Sequence, residues 1–282
     1  MNERHSPGLN KRRLGRLLTR FREQAGMTLE DAAGALYTSR SAVNRLETGG
    51  TKVSVHILKS MLDIYNIGGD RWPGLIEMAV RAVEKGWWHE FGQGVAGTYV
   101  DFETEVEELF MFGLAIVPGL LQTTDYARTL FRDYCKGRRD VDDLVRRHIA
   151  VRMARQERLT DDPPLRVRVV IDESALMRPL GGREVLTAQL VHLAEAATLP
   201  NVEIQVLPLG SPTQGLEGAF TIMRFPRELE EPDIVYHQYP FNEHFLDKSE
   251  PVSRFHRLFE ELRTEALSPE DSIELFRRHA EL

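Results

Sequence analysis

The chain has 282 residues, 42% hydrophobic and 28% charged, and a formal net charge of −7 that, taken whole, argues against a polyanionic partner. That length suits about two soluble domains whose cores need no disulfide or metal staple. A single cysteine, Cys135, excludes an internal disulfide framework and a multi-cysteine zinc site.

The N-terminus is polar. The longest apolar run, Leu109 to Leu121, is interrupted by Pro118 and Gly119 and falls short of the ~20 residues of a membrane helix. No membrane association and a cytoplasmic location are therefore expected. Residues 1–60 carry eleven Lys/Arg against five Asp/Glu, a net +6, which leaves −13 on the remainder. Such asymmetry marks a separate basic module at the start of the chain. Its two readings are a polyanion-binding surface and a merely solvated basic helix face.

Leu14, Leu17, Leu18 and Phe21 fall at i, i+3, i+4 and i+7, one face of a helix, with Arg12, Arg13, Arg16 and Arg20 opposite. Gly26 suits the stop of that helix. Thr28 is placed to cap a second helix, with Glu30 and Asp31 in its first turn and the small residues Ala32 to Ala35 behind them. Tyr37-Thr38 reads as a tight turn. Ser39 caps a third helix, Arg40 to Glu47, which Gly49-Gly50 ends, and a fourth runs from Val55 to Tyr65. Short helices with the second and third joined by a tight turn make a helix-turn-helix unit.

Here the sequence resembles the lambda-repressor-like (Cro/cI-type, or XRE) DNA-binding domain, over about residues 9–70. Arg22-x-x-x-Gly26-Met27-Thr28, Ala32-Ala33 and Ser39-x-Ser41-x-Val43-x-Arg45-Leu46-Glu47-x-Gly49 carry the resemblance. It implies a recognition helix at about 39–47 that lies in the major groove of double-stranded DNA. Ala42, Val43 and Leu46 would pack that helix inward, leaving Arg40, Ser41, Asn44 and Arg45 to face out. Arg suits guanine O6/N7 and Asn suits adenine N6/N7. Thr28, Ser39, Thr51 and Lys52 stand where such domains contact phosphates. The resemblance gives Glu47 a structural role. The family often has Gln early in the second helix, where it contacts DNA or braces the recognition helix; this chain has Leu29 there.

Farther on, Pro73 opens a helix expected to reach about Lys85, and His89 to Val100 reads as an irregular crossing. Strands are expected at 169–171, 202–207 and 220–225. Helices are expected at 123–135, 141–159, 183–198 and 250–281. The fold class is α+β: an N-terminal all-α helix-turn-helix domain (1–70), a helical connector (71–110) and a larger mixed α/β domain (111–282). Val117-Pro118-Gly119-Leu120-Leu121-Gln122-Thr123, Arg155-Gln156, Asp172-Glu173 and Val206-Leu207-Pro208 occur in an order similar to the C-terminal domain of actinobacterial antitoxin-like XRE regulators. That resemblance implies a regulator encoded beside a small partner protein that it binds.

Features that would suggest an enzyme are weak. Asp172 and Glu173 read as an acid pair for catalysis or metal, or, better, as a strand end with Asp172 capping a helix. No histidine pair has metal-ligand spacing, and no nucleophile motif is present. Cys135 reads as a redox sensor or, better, as a plain semi-buried thiol. The loop 210–218 lacks the Lys-Ser/Thr of a phosphate-binding loop. Arg146, Arg147, Arg152, Arg155 and Arg158 read either as a face that touches DNA phosphates or a partner, or as a solvated face paired with Asp142, Asp143 and Glu157. Trp87 and Trp88 read as domain-boundary core, as a ligand-pocket lining or as a dimer contact. The expectation is thus a transcriptional regulator, not an enzyme, with no cofactor or metal. Half-sites ~34 Å apart make a homodimer the default. The alternative is an antitoxin-like protein whose main task is to bind a small partner, with DNA binding for autoregulation.

Overall fold

In a computed structural model that describes residues 5–212, 218–239 and 242–281, the amphipathic start of the chain forms helix α1 (Pro7–Gln24). Its N-terminus is held twice. The Ser6 hydroxyl accepts from the Leu9 amide at 3.0 Å and donates to Oδ1 of Asp101 at 2.6 Å, and the Gly8 amide donates to Oδ2 at 2.7 Å. Burial pushes the Asp101 carboxyl up to about 6, against these hydrogen bonds, which favour its charged form. The folded protein therefore keeps a proton that the unfolded chain releases near 3.8. The contribution of Asp101 alone to stability is therefore expected to be fully present below that value and to be lost, on the order of 3 kcal/mol, as pH rises through about 6. Urea midpoints at ~pH 4.5 and ~pH 7 check this: Asp101→Asn should lack the part of the pH slope that the wild type shows.

Helices α2 (Leu29–Ala35), α3 (Arg40–Glu47), α4 (Val55–Ile64) and α5 (Trp72–Arg81) follow. Leu14, Leu18, Phe21, Ala32, Val43, Leu58 and Leu62 close over one another in a single core, to which Leu75 and Ala79 of α5 also belong. Helix α5 stops short of the expected end at Lys85. The chain doubles back so that Gly86 lies flat on the Trp88 indole, where a Cβ would come within 2.2 Å of the ring. A short helix, α6 (Thr98–Glu103), supplies Asp101. Two units result: residues up to Glu90 with Gly97–Glu105, and Phe91–Ala96 with Val106 onward. Residues of the expected connector occur in both.

The second unit is built on a six-stranded mixed sheet with order β3-β2-β1-β4-β5-β6. Its elements in chain order are β1 (Glu108–Gly113), α7 (Thr124–Tyr134), α8 (Val141–Gln156), β2 (Arg166–Asp172), α9 (Glu173–Met177), α10 (Arg183–Ala196), β3 (Val202–Leu207), β4 (Phe220–Arg224), β5 (Ile234–Tyr239), β6 (Asn242–Leu246), α11 (Ser249–Glu265) and α12 (Pro269–Glu281). β1, β2 and β3 are parallel, and β4, β5 and β6 continue antiparallel from β1. The chain is therefore α+β, as expected. One face presents Phe110, Phe112, Val170, Phe220 and Ile222 to Phe259 and Leu262 of α11. The alternate residues Leu109, Met111, Val169 and Ile171 are equally buried, so both faces of the parallel half are covered.

Three strands lie outside the expected set: β1, β5 and β6. The expected helix at 250–281 is two helices, because Ala266 to Ser268 leave helical geometry to reach the β3 edge. There the Leu267 amide donates to the Val206 carbonyl at 2.8 Å, and the Ser272 hydroxyl accepts the Val206 amide at 3.0 Å. The outward backbone groups of Val206 on the edge strand are thereby satisfied.

Candidate nucleic-acid interface

The α2–turn–α3 unit is specified locally. Thr28 and Asp31 form a reciprocal capping box: the Asp31 amide donates to the Thr28 hydroxyl at 3.1 Å, and the Thr28 amide donates to Asp31 at 2.9 Å. The Thr28 hydroxyl, which donates to the Asp31 carboxylate at 2.7 Å, and next the Thr28 amide lower the Asp31 pKa. Ser39 caps α3 by accepting the Ala42 amide at 3.2 Å. Val43 and Leu46 are buried in the core and Ala42 is half-buried, which turns Arg40, Ser41, Asn44 and Arg45 outward. Their spacing confines these four residues to an arc of about 140° on the helix. Thr28, Ser39, Thr51 and Lys52, the expected phosphate contacts, are also exposed.

A buried ionic group sets the angle of α3. Arg22 of α1 directs Nε at both oxygens of Glu47 at 3.0 Å and donates from Nη1 to the Met27 carbonyl at 2.9 Å. The Tyr65 hydroxyl donates to Oε1 of Glu47 at 3.0 Å. Burial, and next the Glu47 charge, push the Tyr65 pKa up. The end of α3 is thus tied to α1 and to the end of α4. Close approach is made possible by Gly15, where a Cβ would lie 2.5 Å from the Glu47 carbonyl oxygen.

Sequence reasoning passed over two residues here. Leu29, which stands at the family's Gln position, packs against the core. The neighbouring Glu30 instead reaches α3, with Oε1 2.9 Å from Nε of Arg40. Its signal was slight, an acid in a first turn, because that placement also serves the helix dipole. Tyr37 is 98% exposed in the turn at φ 52°. An aromatic residue in a turn that needs left-handed geometry was the visible sign of it.

In the second unit, the elements that carry the family resemblance form a hydrogen-bonded knot. The Gln122 side chain donates from Nε2 to the Val117 carbonyl at 2.6 Å. Gln156 donates to the carbonyls of Gly119 at 3.2 Å and Gln122 at 2.8 Å. The fully buried Gln189 donates to the Leu121 carbonyl at 2.6 Å and accepts the Thr123 amide at 2.8 Å. Nη1 of Arg152 donates to the Gln122 side chain. Asp172 caps α9 by accepting the Ser174 amide at 2.9 Å, and Glu173 accepts the Leu209 amide at 3.0 Å. The Asp-Glu pair is therefore bound into the backbone.

The Arg-rich helix α8 is not a uniformly solvated face. Arg146 and Arg147 pair with Asp143, but Arg152 lies over Phe131 with its Cζ 4.4 Å from the ring centroid, and Arg155 is buried. Arg158, just past the helix, donates to the Val106 carbonyl at 2.7 Å. Trp88 is buried, and Trp87 donates to the Thr104 hydroxyl at 3.1 Å. Burial raises the Cys135 pKa and lowers those of His148 and His192. Among the described residues, no group of three His, Cys, Asp or Glu could hold a metal ion, and no helix is long and apolar enough to cross a membrane. Of the loop 210–218, residues 213–217 lie outside the described set.

Two capped helices joined by a tight turn, the second with a polar outer face, define a helix-turn-helix protein. Residues 13–72 match the family described as a helix-turn-helix domain, a class that suggests DNA binding. The chain belongs to the family described as a domain of unknown function, DUF5753, which matches residues 96–278. Comparison with curated proteins and with solved structures gives no match.

Proposed function

We propose that the protein is a sequence-specific transcriptional regulator of the lambda-repressor-like (XRE, Cro/cI) type that acts without enzymatic chemistry. In this reading a homodimer places α3 of each protomer in successive major grooves. One observation carries it: α3 turns Arg40, Ser41, Asn44 and Arg45 out on a single face while the buried Glu47 fixes the helix angle. Arg40 and Asn44 suit guanine and adenine edges, and Thr28, Ser39, Thr51 and Lys52 suit phosphates. The second unit supplies dimerisation or an effector or partner surface.

A second reading is favoured by the net −13 beyond residue 60. There the protein is antitoxin-like and mainly holds a small partner encoded nearby, with DNA binding for autoregulation. Co-purification with the product of the adjacent gene would support it.

Selection of bound duplexes from random DNA tests the principal reading. Arg40→Ala is expected to cost about 1–3 kcal/mol at one base pair and to relax preference there. Lys52→Ala is expected to weaken all duplexes alike and to reduce the salt slope by about one. Binding that shows neither sequence preference nor salt dependence would end this reading.

A further inference from the structure

We propose that Glu30 is a positioning residue for base recognition: it holds Arg40 by Nε and leaves the guanidinium's two Nη groups to read one guanine. The inference rests on the DNA-binding reading and deepens it. Glu30 and Arg40 occupy the first turns of α2 and α3, on the two sides of the helix-turn-helix. Nε of Arg40 lies 2.9 Å from Oε1 of Glu30, and the two side chains are 67% and 62% exposed.

A pair so exposed contributes little to folding. It is not needed to attach α3, which Val43, Leu46 and Glu47 already bury. Its effect is therefore on where the guanidinium points. The arginine guanidinium has two edges that can bind bidentately, and only the side-on edge includes Nε, whose single N–H points away from Cδ. A carboxylate on Nε occupies that edge. The end-on edge, formed by Nη1 and Nη2, remains, and it matches guanine O6 and N7. The carboxylate charge also discourages the alternative in which Arg40 swings to a phosphate, since an anion at Glu30 repels the backbone. With Leu29 committed to the core, Glu30 is the residue of α2 that acts on the recognition helix in this way.

The test uses the full-length protein and a duplex that the wild type selects from random sequence. Dissociation constants are measured for wild type, Glu30→Ala, Glu30→Gln, Arg40→Ala and the Glu30→Ala/Arg40→Ala double variant. The duplexes are the selected one, versions with each guanine replaced, and an unrelated one, at two salt concentrations. Glu30→Ala should lose about tenfold of the discrimination at one guanine. Its binding to unrelated DNA should tighten severalfold with a steeper salt slope, and its melting temperature should be unchanged. Glu30→Gln keeps an acceptor and should keep most of the discrimination. The double variant should discriminate no worse than Arg40→Ala alone. The proposal is overturned if Glu30→Ala retains the wild-type preference at every base pair, or if the two substitutions act independently in the double variant. If the wild type selects no sequence at all, the DNA-binding reading falls and this proposal with it.

Discussion

Glu47→Ala is expected to destabilise the helix-turn-helix unit by about 3–5 kcal/mol, the range for breaking a buried ion pair on one side. The Glu47 side chain is 3% exposed and Arg22 11% exposed. Without the carboxylate, the guanidinium would keep its bond to the Met27 carbonyl but would sit among apolar side chains with no buried counter-charge; its other carboxylate neighbour, on the exposed Glu23, is 3.9 Å away. The Tyr65 hydroxyl would lose its acceptor as well. Urea denaturation followed by circular dichroism measures the loss, and a change under about 0.5 kcal/mol would contradict the account. Arg22→Met on the Glu47→Ala background should recover part of it, because the stranded charge is then gone. Binding to DNA should fall together with stability, since the same carboxylate sets the angle at which α3 is presented.

The second large effect is expected at Glu108, at the start of β1. Glu108 is nearly fully buried between Arg224 of β4, at 2.8 Å, and Arg168 of β2, at 3.3 Å, with Arg166 at 3.8 Å. The cluster extends through Arg224 to Asp233 at 3.4 Å and on to His256 at 2.7 Å. Glu108→Ala would leave three guanidiniums converging at the junction of the parallel and antiparallel halves of the sheet. Each is more than a third exposed, so each can turn partly to water. The cost is therefore placed at about 2–3 kcal/mol, below that at Glu47. Glu108→Lys should cost more, because it adds a fourth cation. Thermal unfolding of the second unit resolves the two variants, and equal stability of Glu108→Lys and wild type would refute the assignment.

The first four helices were legible because their determinants are local, whereas α6 (Thr98–Glu103) fell where an irregular crossing was expected. Leu14, Leu17, Leu18 and Phe21 state a period of 3.6, and Thr28 and Ser39 state where helices begin. Strand β1 was not legible. It is central and buried on both faces, so Leu109-Phe110-Met111-Phe112 is an unbroken apolar run without the alternation that marks a strand. Helices α11 and α12 merged in the reading because the break at 266–268 answers to the β3 edge, far away in sequence. The elements of the family resemblance were visible as strings, but their joint role around residues 117–123 appears only when Gln156 and Gln189 arrive from two other helices.

The same division holds for the candidate interface. Sequence by itself determined that a basic helix-turn-helix opens the chain, which residues cap its helices, and which side chains α3 turns outward; periodicity and capping act over three or four residues, and the string contains both. Tertiary structure alone decided that Glu47 is shared by Arg22 and Tyr65, and that Glu30 rather than Leu29 reaches the recognition helix. Those contacts join groups on different helices, and their energies depend on distance and burial, which no spacing along the chain encodes.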